Sequence, residues 1–233
     1  MKPLRWLVVL LLALVAGAPA ARTSAESKVR AGANRIAPAL AEAGLVAGDP
    51  VFLRLFKEEA ELEVWMRPAG ASRYQRLKVY PICSYSGTLG PKTREGDGQA
   101  PEGFYTVGKG QLNPHSSYHL SFNLGYPNRY EQAQGWTGSY LMVHGSCVSI
   151  GCYAMTDAGI EEIYALVAAA IDHGHGPVPV HVFPFRFTPA QERRIAESPF
   201  RAFWGQLQAG YAAFERTGMP PRVRVRQGAY LVD

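Results

Sequence analysis

Apolar positions along this chain change their period several times, and the changes mark its elements. An apolar run from Trp6 to Val15 follows Lys2 and Arg5 and gives way to Ala16, Gly17, Ala18, Pro19 and Ala20. Positive, apolar, small is the order of a secretory signal peptide, and the run is short for a bilayer span. The small pair Ala18 and Ala20 places the expected cleavage after Ala20, so residues 1–20 are assigned to a signal peptide, with a retained anchor as the alternative. Residues 21–50 form a helical lead-in, with helical spacing from Lys28 to Leu45 closed by Gly44. Val51–Phe56 and Glu61–Arg67 alternate or run apolar and predict a β-hairpin, and Leu77–Cys83 predicts another strand.

A polar, glycine-rich loop from Ser84 to Gly103 then interrupts the pattern; a loop of that length inside a compact domain is more often functional than decorative. Strands are expected at Tyr105–Gly108, Tyr118–Leu124, Ser139–His144 and Val178–Phe183. Between the last two lies a helix, capped by Thr156 or Asp157, with Glu161 and Glu162 placed to serve its dipole. Its apolar face is Ile160, Ile163, Tyr164, Val167 and Ile171. Two helices, Pro189–Ala196 and Phe200–Phe214, and a last strand within Arg222–Val232 complete the chain. The fold class is α+β, mostly β: a catalytic core at 51–187 with packed helices and a C-terminal helical extension at 188–233.

The bulk numbers add little that conflicts. Of 233 residues, 47% are hydrophobic, so a substantial core is available and disorder is not indicated. A net charge of +5 is mild and forms no basic tract, which argues against a nucleic-acid partner. The cysteines are Cys83, Cys147 and Cys152, an odd count that in an oxidising compartment leaves a free thiol. Cys83 and Cys147 are open to pairing, to plain burial, or to a redox role beside Cys152.

The chemistry concentrates between Ser139 and Asp157. Acyl transfer by a thiol needs a thiolate, a base, a group that orients the base, and donors for the oxyanion. Cys152 lies just before a helix whose positive end lowers a thiol pKa, and Gly151 lets the chain turn so that the amides of Gly151 and Cys152 face a developing oxyanion. His144 ends a strand in front of Gly145, in position to project an imidazole across the loop. The bland alternatives are a buried structural cysteine and a satisfied core histidine.

His144-Gly145 followed by Ser149-Ile150-Gly151-Cys152 resembles the signature of the L,D-transpeptidase family, the YkuD-type domain, and within it the YafK-like branch. Tyr80–Gly87, Glu95–Gln99, Pro101–Tyr105, Tyr118–Pro127 and Val143–Tyr164 carry the same likeness, which runs from about Val51 to Phe187. The resemblance implies a β-sandwich or barrel core, Cys152 as nucleophile, His144 as base and the Gly145 carbonyl as its orienter. It further implies that Ser149 steadies the loop and that the Gly151 and Cys152 amides donate to the oxyanion. Ile150 stands where many members have histidine, Tyr153 where many have arginine or asparagine, and the connecting loop is short.

The substrate class implied is the peptidoglycan stem peptide, attacked at the L-centre of meso-diaminopimelate. Hydrolysis of the link to the lysine of an outer-membrane lipoprotein is the expected outcome, with transpeptidation as one alternative and a non-catalytic wall-binding protein as another. Tyr118 and His119 are candidates for the substrate groove, weighed against ordinary strand packing. His173, His175 and His181 have metal-like spacing, but the glycines and the lack of nearby carboxylates favour a turn, so no metal or other cofactor is expected. Phe200, Phe203, Trp204, Tyr211 and Phe214 are expected to pack the C-terminal helices. The expected location is the periplasm.

Overall fold

The structure, a computed structural model, describes residues 20–233, so the expected signal peptide lies, Ala20 apart, outside the described residues. The described residues open with α1 (Ala20–Glu42), which starts earlier than the helical spacing indicated. It continues through β1 (Val51–Phe56), β2 (Glu61–Met66), β3 (Gln75–Pro81), β4 (Ser84–Tyr85), β5 (Gly103–Val107), β6 (Leu112–Asn113) and β7 (Ser121–Asn123). Then come α2 (Arg129–Ala133), β8 (Met142–His144), β9 (Tyr153–Ala154), α3 (Asp157–Ala170), β10 (Val178–Phe183), α4 (Glu192–Glu197), α5 (Arg201–Thr217), β11 (Val223–Arg226) and β12 (Ala229–Val232). The strands form two five-stranded sheets, β3-β2-β1-β10-β5 and β4-β9-β8-β7-β6, plus the hairpin β11-β12.

β1 is buried at every position, as its near-continuous apolar run demands, because both faces of its sheet are covered. Val51, Leu53 and Leu55 join Val64, Val180, Phe122, Val143 and Tyr153 in one core shared by the two sheets. That core extends to Ile160, Ile163 and Val167 of α3 and to Ile36 and Leu40 of α1. α1 packs on α3 at close range: a Cβ on Gly32 would stand 2.1 Å from the Glu161 carbonyl oxygen, so only glycine fits there.

The intervening positions of β1 face α5. Phe52 meets the Phe214 ring at 4.9 Å, and Phe56 packs on Phe183 and Tyr211. Between them the Arg54 guanidinium is buried among aromatic rings and paired with Glu63 (3.4 Å) and Glu215 (2.6 Å). The aromatic residues of 188–233 thus seal the outer face of the first sheet and form its second core.

Several details depart from the sequence expectations; the strand expected at Ser139–His144 is only Met142–His144, and the loop expected at Ser84–Gly103 opens with β4. The strand expected at Tyr118–Leu124 narrows to Ser121–Asn123, because Tyr118 and His119 belong to a turn in which His119 takes φ 71°. The single last strand is a hairpin, turned at Gln227 and Gly228, both with positive φ as a tight two-residue turn requires. The short helix α2 was not anticipated; Asn128 and Glu131 form the capping box that starts it. Finally, Glu161 and Glu162 are committed to side-chain partners rather than to the helix dipole. Glu162 accepts from Lys78 (2.6 Å) and Tyr80 (2.7 Å), Glu161 from Arg35 (2.9 Å), and the N-cap of α3 is Thr156, with Asp157 in the first turn.

Candidate active site

The site is built on three neighbouring strands of the second sheet, in the order β4, β9, β8. β8 and β9 run parallel, with Val143 opposite Tyr153 and His144 opposite Ala154. Cys152, one residue before β9, comes level with Met142, whose amide donates to its sulfur at 3.4 Å. Strand alternation sends Val143 and Tyr153 into the core and leaves Met142, His144 and Cys152 on the other face, so imidazole and thiol project from one surface.

His144 is buried, and its Nδ1 lies 2.6 Å from the Gly145 carbonyl oxygen. A carbonyl only accepts, so Nδ1 carries the proton and neutral His144 keeps Nε2 as a free acceptor. The Tyr118 ring covers the imidazole at a centroid distance of 4.7 Å. Gly145 is required by space: a Cβ there would stand 2.7 Å from Asp157 Oδ1 and 2.9 Å from His119 Cβ. Its amide donates to the carbonyls of Tyr118 (3.0 Å) and Leu120 (3.2 Å).

The turn from Gly145 to Cys152 is held at each step. Ser146 and Cys147 both take positive φ, a conformation costing about 1–3 kcal/mol each, and both are restrained. Asp157 Oδ1 accepts from the Ser146 amide (2.8 Å), and Cys147 is in a disulfide with Cys83, Cα atoms 5.2 Å apart. Of the open alternatives for these two cysteines, pairing is the one realised, and Cys152 is the free thiol. Ser149 Oγ accepts from the Cys152 amide (2.9 Å) and donates to the Cys152 carbonyl (2.7 Å), closing the last turn.

Two electrostatic expectations are corrected. The Gly151 and Cys152 amides were expected to be free for an oxyanion, yet Gly151 N–H donates to Ser86 Oγ and Cys152 N–H to Ser149 Oγ. The thiol was expected to be acidified by the helix start. Instead burial pushes the Cys152 thiol up, against smaller downward pulls from the Met142 amide and Lys92. α3 begins five residues after Cys152, and its positive end is already used by Thr156 and Asp157. Burial likewise pulls His144 down, more than its bond to the Gly145 carbonyl pushes it up. Burial thus favours the neutral form of both groups, and Cys152 Sγ lies 3.5 Å from the Tyr140 carbonyl oxygen.

Tyr118 stands over the site, 42% exposed, but His119 does not join it. The His119 nitrogens face Glu161 (2.7 Å) and Asp157 (3.6 Å), and its carbonyl accepts from Lys28 of α1, which makes it a tie between α1, α3 and the turn rather than part of a groove. His173, His175 and His181 do not converge. His173 Nδ1 lies 2.8 Å from the Ala169 carbonyl oxygen, and His181 is buried against Phe52 and Phe104, its pKa pulled down to about 3 by burial and Arg54. Among the described residues no three His, Cys, Asp or Glu side chains are grouped to hold a metal.

Sequence reasoning missed Ser86, Tyr140 and Lys92. Tyr140 is 77% exposed beside the thiol its carbonyl faces. Lys92 is buried and paired with Asp97 (2.6 Å). Only the glycine-rich surroundings of Ser86 and Lys92 hinted at them.

This fold and site define the class. Residues 71–182 match the family model described as the L,D-transpeptidase catalytic domain. The chain is 49% identical over 186 residues to the Escherichia coli (strain K12) protein named "Putative L,D-transpeptidase YafK", covering 80% of this chain and 75% of that protein. The chain belongs to the L,D-transpeptidase family, enzymes that act on peptidoglycan stem peptides. The YafK protein of Escherichia coli O157:H7 matches equally. Among solved structures, the helical cell shape determining protein Pgp2 (K307A mutant) from Campylobacter jejuni aligns with TM-score 0.47 and 18% identity, over 84% of this chain and 80% of that one.

Proposed function

We propose that this protein is a secreted, periplasmic cysteine enzyme that hydrolyses the amide between meso-diaminopimelate and the lysine of an outer-membrane lipoprotein. The observation that carries the proposal is the placement, on adjacent strands and one sheet face, of the free thiol and an imidazole whose Nδ1 is held by the Gly145 carbonyl. In the reaction His144 Nε2 takes the Cys152 proton as sulfur attacks the carbonyl at the L-centre. The carbon–nitrogen bond breaks, the leaving lysine amine takes the proton back from His144, and a thioester remains. Water, deprotonated by the same imidazole, then frees the carboxylate and regenerates the thiol.

An incoming amine in place of water would form a cross-link or attach a protein. Hydrolysis is the outcome that the sequence resemblance implies, and the exposure of Tyr140, Val148 and Ile150 around Cys152 is compatible with water reaching the site. The test is mass spectrometry of muropeptides from sacculi, with and without bound lipoprotein, after incubation with the wild type and with Cys152→Ala. Loss of lipoprotein remnants with the wild type alone supports hydrolysis. New diaminopimelate cross-links would replace it with transpeptidation, and identical products from both proteins would refute the nucleophile and favour a wall-binding role.

A further inference from the structure

The oxyanion formed when Cys152 attacks needs a donor, and the two backbone amides expected to supply it already have acceptors. Those acceptors are hydroxyls, and the two differ. Ser149 passes its proton back to the Cys152 carbonyl (2.7 Å), so its hydroxyl is committed in both directions. Ser86 accepts from Gly151 and, among the described residues, donates to no acceptor. The remaining nearby amide, that of Met142, already donates to the sulfur.

Position singles out the same hydroxyl. β4 pairs antiparallel with β9, Ser84 opposite Ala154 and Tyr85 opposite Tyr153, so the next step of that register sets Ser86 opposite Cys152. Residues directly opposite have Cβ atoms about 4.5–5.5 Å apart. The Tyr85 and Tyr153 rings lie on one face, 6.1 Å apart, which leaves Ser86 and Cys152 to share the other. β8, which ends at His144, and β4, which Ser86 follows directly, lie on opposite sides of β9, which Cys152 precedes. The backbone of Ser86 is pinned by the Ala100 amide donating to its carbonyl (3.0 Å).

We propose that the Ser86 hydroxyl is a catalytic residue that donates to the oxyanion of the tetrahedral intermediate. The inference rests on Cys152 being the nucleophile. As the sulfur–carbon bond forms, the carbonyl π pair moves onto oxygen, and the Ser86 hydrogen stabilises that charge without being transferred. Collapse returns the pair and expels the amine. The hydrogen bond that Ser86 accepts from Gly151 polarises its O–H and strengthens the donation. The Gly151 amide thus acts through Ser86 rather than directly.

Two reagents separate this role from a structural one. Acylation of Cys152 by p-nitrophenyl acetate passes through an oxyanion, whereas alkylation by iodoacetamide displaces iodide and forms none. Ser86→Ala should slow acylation about 100-fold, the usual effect of losing one such donor, with KM nearly unchanged and alkylation within about twofold of wild type. Ser86→Thr, which keeps the hydroxyl, should acylate within a few-fold of wild type, and Ser86→Val, of the same shape, should match Ser86→Ala. Equal acylation by Thr and Val variants, or a parallel loss of acylation and alkylation, would overturn the donor role. A wild-type Cys152 that alkylates but is never acylated would overturn the proposed function itself.

Discussion

Removing the Glu102 carboxylate should unsettle the wall of the site without touching the reacting groups. Glu102 and Lys57 have no exposed surface, and their charged ends are 3.1 Å apart. Glu102 also accepts from the Gly90 amide (2.7 Å) and the Trp204 indole (2.9 Å), so it joins the loop carrying Ser86 to α5. Its neighbour Pro101 accepts from the buried Tyr153 hydroxyl (2.7 Å), next to Cys152. Glu102→Ala leaves Lys57 with only the Thr88 and Gly90 carbonyls and orphans two buried donors. Breaking a buried pair from one side costs about 3–5 kcal/mol, which at this chain length lowers Tm by roughly 6–20 °C.

Burial holds Lys57 below its ordinary pKa even with Glu102 and Asp97 pulling upward. Without Glu102 it falls further, so the native state binds fewer protons than the unfolded chain up to about pH 10.4. Stability of the variant therefore rises with pH across that window, and its deficit narrows between pH 7 and pH 10. Urea unfolding at the two pH values measures this. A loss under about 1 kcal/mol at pH 7, or a deficit that widens with pH, would refute the reasoning.

Two further expectations follow from the site. Because burial raises the thiol and lowers the imidazole, iodoacetamide alkylation of Cys152 should keep climbing past pH 9. The acid limb of kcat/KM should fall below pH 6.5, where His144 becomes charged. A plateau of alkylation at neutral pH would instead reveal a preformed thiolate–imidazolium pair. The Cys83–Cys147 bond closes a loop across a separation of 64 residues, so Cys83→Ser with Cys147→Ser should cost about 2–4 kcal/mol in denaturant unfolding. It should also loosen the Ser146–Gly151 turn, read as faster amide exchange there. Unchanged stability would show that the turn is held by Asp157 and Ser149 alone.

The parts of the site that follow each other along the chain were legible in the sequence. His144, Gly145, Ser149, Gly151 and Cys152 fall within one short segment, and α3 announces itself through Thr156 and its apolar stripe. What escaped depends on pairings between distant segments. Ser86 comes beside the Gly151–Cys152 turn only because β4 pairs with β9, and no local pattern encodes that register. His119 looks like a groove residue in the string Tyr118-His119-Leu120, yet a positive φ turns it towards Glu161. The thiol pKa was misjudged because sequence distance to a helix start does not show which groups already occupy that end. The hairpin at β11 and β12 was missed because Gln-Gly is a weaker turn signal than Asn-Gly or Asp-Gly.

The central claim is that Cys152 is acylated with His144 as its base, and trapping the acyl-enzyme tests it most directly. The protein is incubated with a carbapenem, quenched in acid and weighed intact, then digested to locate the adduct. One stoichiometric adduct on Cys152, absent from Cys152→Ala and formed far more slowly in His144→Ala, is the predicted result. No adduct on the wild type, or an adduct that persists in Cys152→Ala, would contradict it.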